Sequence, residues 1–121
     1  MKYFKEGEFT CKCDKCGKGF KDMNPELLDK LDKARGIANI PFKLTSAFRC
    51  PSHNKTVGGV PDSAHLTGKA VDIATPDNAT RFTVMTALLD AGFQRIGINL
   101  TTNFLHCDVD MNKPHPTMFK Y

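Results

Sequence analysis

The chain has four histidines, His53, His65, His106 and His115, and two of them lie near carboxylates at spacings that suit a metal ion. His65 and Asp72 flank a turn at Thr67-Gly68, and a loop of that length can fold back and bring imidazole and carboxylate together. His106, Asp108 and Asp110 alternate with Cys107 and Val109, which puts three polar groups on one face of a strand, because side chains at i, i+2 and i+4 share a face. A catalytic zinc takes three N or O ligands from protein and keeps a fourth position for water; two His plus one carboxylate is a recurring set. His65, Asp72 and His106 supply that set. Zinc lowers the pKa of its bound water from about 15.7 to about 7, so a hydroxide able to attack an amide exists at neutral pH. On spacing alone a plainer reading weighs more, with His65 a loop residue and His106 a core histidine, because single histidines on strands are common.

The elements that must position these residues follow from pattern and punctuation. Asn24-Pro25-Glu26 is a helix start, an Asn cap followed by Pro at the first helical position, and Leu27, Leu28, Leu31 and Ala34 recur at helical spacing, which predicts a helix over 25–35. Residues 42–48 alternate large apolar with small or polar side chains between Pro41 and Pro51 and predict a half-buried strand, followed by a long loop over 49–64. A short strand is expected over 69–74. A second helix over 80–91 would carry Phe82, Met85, Leu88 and Leu89 on its buried face, with Asp77 or Asn78 as cap and Gly92 as stop. Residues 94–100 and 104–110 read as a hairpin, with a last strand over 118–121. Residues 1–22, with Phe4, Phe9 and Phe20 as apolar anchors, read as irregular structure packed on the rest. The expected fold is α+β, a mostly antiparallel central sheet with two main helices in a single domain spanning 1–121.

Composition narrows the classes. At 121 residues the chain fits one domain, with 40% hydrophobic and 25% charged residues as in ordinary folded proteins, so disorder is not expected. No apolar run approaches the ~20 residues that a membrane span needs, and no membrane partner is expected. The net charge of +4 is spread along the chain without a basic run, so nucleic acid is not an expected partner either. The N-terminus lacks an apolar signal-peptide core, and the expectation is synthesis in the cytoplasm. In that reducing compartment, Cys11, Cys13 and Cys16 read as metal ligands or free thiols before disulfides.

Four ordered segments then carry a resemblance. Ser63-Ala64-His65-Leu66-Thr67-Gly68-Lys69-Ala70-Val71-Asp72 matches S-x-H-x-x-G-x-A-x-D; Thr45-Ser46-Ala47-Phe48-Arg49-Cys50-Pro51 with His53-Asn54 is similar to S-G-Y-R-(S/C)-P-x-x-N. Val57-Gly58-Gly59-Val60-Pro61-Asp62-Ser63 is similar to V-G-G-(A/V)-x-x-S, and Phe104-Leu105-His106-Cys107-Asp108-Val109 to F-(I/V)-H-x-D-V. From about Phe9 to the C-terminus the chain thus resembles the zinc D-alanyl-D-alanine carboxypeptidase-like peptidases, whose fold is shared with the Hedgehog signalling domain. The resemblance implies one catalytic zinc on His65, Asp72 and His106. It places Arg49 against the substrate, where a guanidinium can pair a carboxylate or stabilise a developing oxyanion. Ser63 would either bind substrate or turn the loop.

The general base does not carry over. Relatives use an acid three residues before the last His, here Asn103, or a His five residues before it, here Thr101. Asp108, on the strand face of His106, is the nearest carboxylate for proton transfer; its other reading is to hold a ligand or Arg49 in place. His115 could reach the site from the C-terminal loop or stay exposed. With Cys50 as a fourth thiolate, Cys11, Cys13 and Cys16 admit a second, structural zinc; free thiols or disulfides formed after release weigh slightly more on this spacing. Cys107 points away from His106 and reads as a small buried apolar residue.

The resemblance implies a hydrolase that cleaves an amide next to a D-amino acid in peptidoglycan stem peptides or cross-links. Carboxypeptidase and endopeptidase stay open, as does the wall chemotype. The short chain looks like a monomeric phage or prophage lysis protein of endolysin type, reaching the wall through a holin or within a virion. A zinc-bearing binding module of the same fold, without efficient catalysis, is the alternative that Asn103 keeps open. A nucleic-acid-binding zinc knuckle is the third, disfavoured by the scattered charge.

Overall fold

A computed structural model describes all residues, 1–121, as a five-stranded sheet backed by two long helices. In chain order the elements are α1 (Pro25–Ala38), β1 (Leu44–Ser46), α2 (Pro51–Thr56), β2 (Ala70–Ala74), α3 (Asn78–Asp90), β3 (Arg95–Asn99), β4 (Phe104–Asp108) and β5 (Thr117–Lys120). The strand order is β1-β2-β4-β3-β5. The first three pairings are antiparallel, and β5 runs parallel to β3. The α+β expectation holds, with the sheet mixed rather than purely antiparallel, because the chain crosses from the end of β4 back to the start of β3 before β5 begins.

The alternation along β2 and β4 makes the sheet two-faced. Val71 and Ile73 on β2, with Leu105 and Cys107 on β4 and Ile96 on β3, join Leu27, Leu31 and Ala34 of α1 and Val84, Ala87 and Leu88 of α3 in one buried cluster. The opposite face carries Asp72, His106 and Asp108. Burying a Leu or Ile side chain contributes about 1.5–3 kcal/mol, so the apolar face fixes the strand register, and the register fixes which residues share a rung on the polar face. On that face Asp72 stands opposite His106, and His106 opposite Gly97; one rung along, Asp108 lies between Ala70 and Arg95.

Local chemistry accounts for the element ends that differ from expectation. Asn24 caps α1 as its sequence suggests, its Oδ1 accepting from Glu26 N at 2.8 Å and Leu27 N at 3.2 Å. The helix runs three residues further than Arg35 and stops where Asn39 turns left-handed at φ 54°. Helix α3 starts two residues early, with Asp77 Oδ1 accepting from Thr80 N at 2.7 Å. Its buried stripe is rotated: Val84, Ala87 and Leu88 face inward, whereas Phe82 is 72% and Leu89 49% exposed. The loop expected over 49–64 contains α2, nucleated by Pro51 at the first helical position with the Cys50 sulfur as cap. The strand expected over 42–48 shortens to β1 because the pairing with β2 is irregular between Leu44 and Ser46.

The N-terminal segment forms two 3-10 turns, Glu6–Phe9 and Phe20–Asp22. Its rings interlock, with Phe4 to Phe9 at 5.9 Å, Phe9 to Phe20 at 5.7 Å and Phe4 to Phe42 at 6.4 Å between centroids, so the segment is packed into the core rather than laid on it. No helix is long and apolar enough to cross a membrane.

Candidate metal centre and its cleft

Three buried donors converge on the polar face. Asp72 Oδ1 lies 3.2 Å from His65 Nε2 and 3.0 Å from His106 Nδ1, and the three ligand atoms are all within 4.8 Å of one another. Strands β2 and β4 present Asp72 and His106 directly. His65 comes from a 3-10 turn, Ala64–Thr67, that Ser63 opens by accepting the His65 amide at 3.2 Å and that Gly68 closes at φ 69°. Gly68 is required there: a Cβ would stand 2.1 Å from Asp22 O, so the turn can lie against the N-terminal segment only without a side chain.

The proton count tests whether a metal fits. His65 Nδ1 is 2.7 Å from Ala47 O, a carbonyl that can only accept, so Nδ1 carries the hydrogen and Nε2 keeps its lone pair. His106 Nε2 approaches Asp108 Oδ2 at 2.6 Å, so it donates there and turns Nδ1 to Asp72; although burial opposes it, the flanking Asp108 and Asp72 favour a second proton at Nδ1, held where a cation would sit. The two imidazole nitrogens and a carboxylate oxygen thus meet at one point, and such a group is stable only with a proton or a cation between its members. Burial pushes His65 toward its neutral form, despite the opposing pull of Asp72. Burial also disfavours charge on Asp72, yet a proton on the facing nitrogen of His106 or His65, the place a cation would take, outweighs it and holds the carboxyl ionised, well below its usual range. A neutral imidazole and an ionised carboxylate are the forms that ligate metal. The donor set fits zinc, with three N/O ligands and an open side.

Behind each donor stands a second polar group. Asp72 Oδ2 accepts from Arg49 Nη2 at 3.2 Å, while Arg49 Nε donates to Ser46 Oγ at 2.9 Å and Nη1 to Asn54 Oδ1 at 3.2 Å. Asn54, 4% exposed, closes the loop after α2 by donating to Val60 O at 2.9 Å. The loop passes so near that a Cβ on Gly59 would fall 2.0 Å from Asn54 Oδ1. On the other side, Asp108 Oδ1 accepts from Arg95 Nε at 2.8 Å and from Asp110 N at 3.0 Å, and Arg95 Nη1 donates to Pro114 O at 2.6 Å.

The donors open onto a cleft of about 720 Å³. Lys12, Arg49, Arg95 and Lys113 line it against two carboxylates, Asp72 and Asp108, an excess of two positive charges. Phe119 packs 5.7 Å from the His106 ring and 5.3 Å from the Arg95 guanidinium, and Tyr121 sits edge-on to Phe104 at 5.1 Å.

Each expected residue now has a place. His65, Asp72 and His106 come together, with Arg49 on Asp72. Ser63 caps the His65 turn and also lines the cleft. Asp108 has both oxygens engaged and meets His106 on the nitrogen turned away from Asp72, the position of a group that orients the imidazole. Asn103 is in the β3–β4 turn at φ 55° and exposed, Thr101 is exposed, and His115 stays exposed outside the cleft. Cys107 is fully buried on the helix-facing side. Cys11, Cys13, Cys16 and Cys50 bring their sulfurs within 4.8 Å of one another, and none is in a disulfide. Sequence reasoning missed Arg95, Phe119 and Tyr121, and gave Asn54 of the matched segment no role. The aromatic pair was findable, since residues 119 and 121 share one face of the expected last strand.

A His, Asp, His set on the open face of an α+β sheet, in a positively lined cleft, supplies donors suited to a divalent metal with an open position. The particular family follows from comparison: the model of the family described as peptidase M15 matches residues 2–108, and the chain belongs to that family of zinc-dependent metallopeptidases. No curated protein matches the chain.

Proposed function

We propose that this peptidase uses one zinc, on His65, Asp72 and His106, to cleave an amide next to a D-amino acid in peptidoglycan stem peptides or cross-links. The observation that carries the metal assignment is the convergence of His65 Nε2 and His106 Nδ1 on Asp72 Oδ1. Bound there, zinc would supply a hydroxide near neutral pH and polarise the scissile carbonyl. Arg49 holds Asp72 in its ligating orientation and sets a positive charge at the cleft wall, where it stabilises a developing oxyanion or pairs a substrate carboxylate. Asp108, backed by Arg95, keeps the His106 proton on Nε2 and leaves Nδ1 for the metal. The surplus positive charge favours an anionic peptide, and wall stem peptides carry free carboxylates. The resemblance to the D-alanyl-D-alanine carboxypeptidase-like peptidases supports the wall as target, and action on it after release, as a phage or prophage lysis protein, is part of the same reading. The peptide is the expected partner of a monomer.

Purified peptidoglycan and synthetic stem peptides with free or amidated C-termini, digested by the full chain and read by mass spectrometry, test this reading. Cleavage that vanishes in His65→Ala together with one bound zinc supports it, and loss of cleavage on amidation identifies a carboxypeptidase. Zinc binding with every wall bond intact overturns the enzyme reading in favour of a zinc-bearing binding module, which the lack of a free carboxylate in the cleft favours.

A further inference from the structure

The loop around Cys11, Cys13 and Cys16 sends Lys12 to the cleft, but its sulfurs turn elsewhere and gather around a point apart from His65, Asp72 and His106. Cys13 Sγ accepts the amides of Lys15 at 3.3 Å and Cys16 at 3.2 Å, and Cys16 Sγ accepts that of Lys18 at 3.4 Å. Asp14 at φ 59° and Gly17 at φ 69° supply the left-handed bends that let these amides turn inward. The fourth sulfur is distant in sequence: Cys50 Sγ accepts from His53 N at 3.4 Å, and the Cys50 amide itself donates to Cys11 Sγ at 3.4 Å. Every one of the four sulfurs therefore receives at least one N–H. A thiol is a weak acceptor, whereas a thiolate is a strong one, so such an array suits sulfur in its anionic form.

We propose that Cys11, Cys13, Cys16 and Cys50 hold a structural zinc ion as a tetrathiolate, separate from the peptidase centre. Four thiolates this close repel one another unless a dication lies between them, and four ligands close the tetrahedron without leaving a position for water, the mark of a structural site. Apolar burial alone does not explain the arrangement, because Cys13 and Cys16 are only half-buried and turn their sulfurs toward Cys11 and Cys50. Lys12, Lys15 and Lys18 in the same loop offset the residual negative charge of a zinc with four thiolates. On binding, each cysteine releases its thiol proton to solvent and the metal keeps its oxidation state, so no oxidant or reductant is needed.

The site joins the N-terminal segment to the peptidase centre. Cys50 follows Arg49 directly and caps α2, and α2 carries the Asn54 that holds Arg49 Nη1. A metal on Cys50 thus fixes both ends of the turn that sets the guanidinium against Asp72.

The test is metal content by mass spectrometry and the zinc coordination shell by X-ray absorption, on full-length protein produced in zinc-supplemented cells and purified under reducing conditions. In His65→Ala/His106→Ala, which leaves all four cysteines in place, one zinc per chain with an all-sulfur shell at ~2.3 Å is expected. Cys13→Ser should lose that zinc while the remaining metal shows only N/O neighbours; if this variant fails to fold, the double-histidine variant decides alone. A double-histidine variant without zinc, a shell lacking sulfur, or an intact mass short of four hydrogens from paired disulfides overturns the proposal.

Discussion

Arg49 donates to Asp72 through the carboxylate oxygen that the two histidines leave free, so one buried carboxylate serves three partners on two oxygens. The contact at 3.2 Å is one arm of a guanidinium whose other nitrogens are held by Ser46 and Asn54. Lysine could keep the charge there but not the three-way fork. Arg49→Lys is therefore expected to lower kcat/KM by about 10- to 100-fold while the chain still folds and binds zinc, measured by peptide cleavage and metal analysis. Full activity in this variant would show that the planar geometry is dispensable.

Arg95 and Asp108 should act as a unit. Both are buried, and removing one partner of a buried pair leaves the other charge unpaired, at a cost of about 3–5 kcal/mol. Arg95→Met should depress the melting temperature by more than ten degrees, since about 1 kcal/mol shifts a domain of this size by roughly 4 °C. Asp108→Asn, nearly isosteric, should keep the fold and weaken zinc affinity by about 10- to 100-fold through the loosened His106. Equal zinc affinity in Asp108→Asn and the parent chain would refute the orienting role.

Two glycines separate crowding from strain. Gly68 and Gly92 are both left-handed, at φ 69° and 97°, but a Cβ on Gly68 meets backbone at 2.1 Å while one on Gly92 meets only the Lys30 side chain at 3.7 Å. Gly92→Ala should cost about 1–2 kcal/mol in urea unfolding, the conformational penalty alone. Gly68→Ala should cost more than 3 kcal/mol and should also lower zinc affinity, because the turn it displaces carries His65. Comparable losses at the two positions would mean that the segment before α1 yields easily.

The cap of α1 offers a control remote from the chemistry. Asn24→Ala removes the side-chain acceptor for two helix amides and should destabilise by about 1 kcal/mol, a fall of roughly 4 °C in Tm. The Asn24 amide that holds Gly68 O belongs to the backbone and survives, so activity per folded molecule should be unchanged. A drop in zinc content would link the cap to the His65 turn.

Much of this was readable in advance, for a physical reason. Turn spacing and strand alternation put His65 near Asp72 and gave His106 a polar strand face, but on spacing alone the plainer reading weighed more; the resemblance of four ordered segments supplied the ligand set and Arg49. Helix α2 escaped because its cap is a cysteine sulfur rather than one of the usual oxygen acceptors, and six residues give too little periodicity. The buried face of α3 was misplaced because Phe82 and Leu89 are apolar yet turned outward, and hydrophobicity does not report direction. Arg95, and the role of the Asn54 that ends a matched segment, were invisible because their partners, Asp108 and Arg49, reach them only after strand pairing and loop closure.

The two-faced sheet also determines where this chain can tolerate a change of length. In β2 and β4 the donors Asp72 and His106 alternate residue by residue with Val71, Ile73, Leu105 and Cys107 of the core. Inserting or deleting a single residue inside either strand would turn a carboxylate or imidazole into the apolar interior and expose an aliphatic side chain in its place, destroying site and core in one event. The exposed turn of 100–103 between β3 and β4 carries no such alternation. Length variation among natural variants that keep the activity should accumulate in stretches of that kind and be absent from β2 and β4, whatever happens to the composition of the cleft.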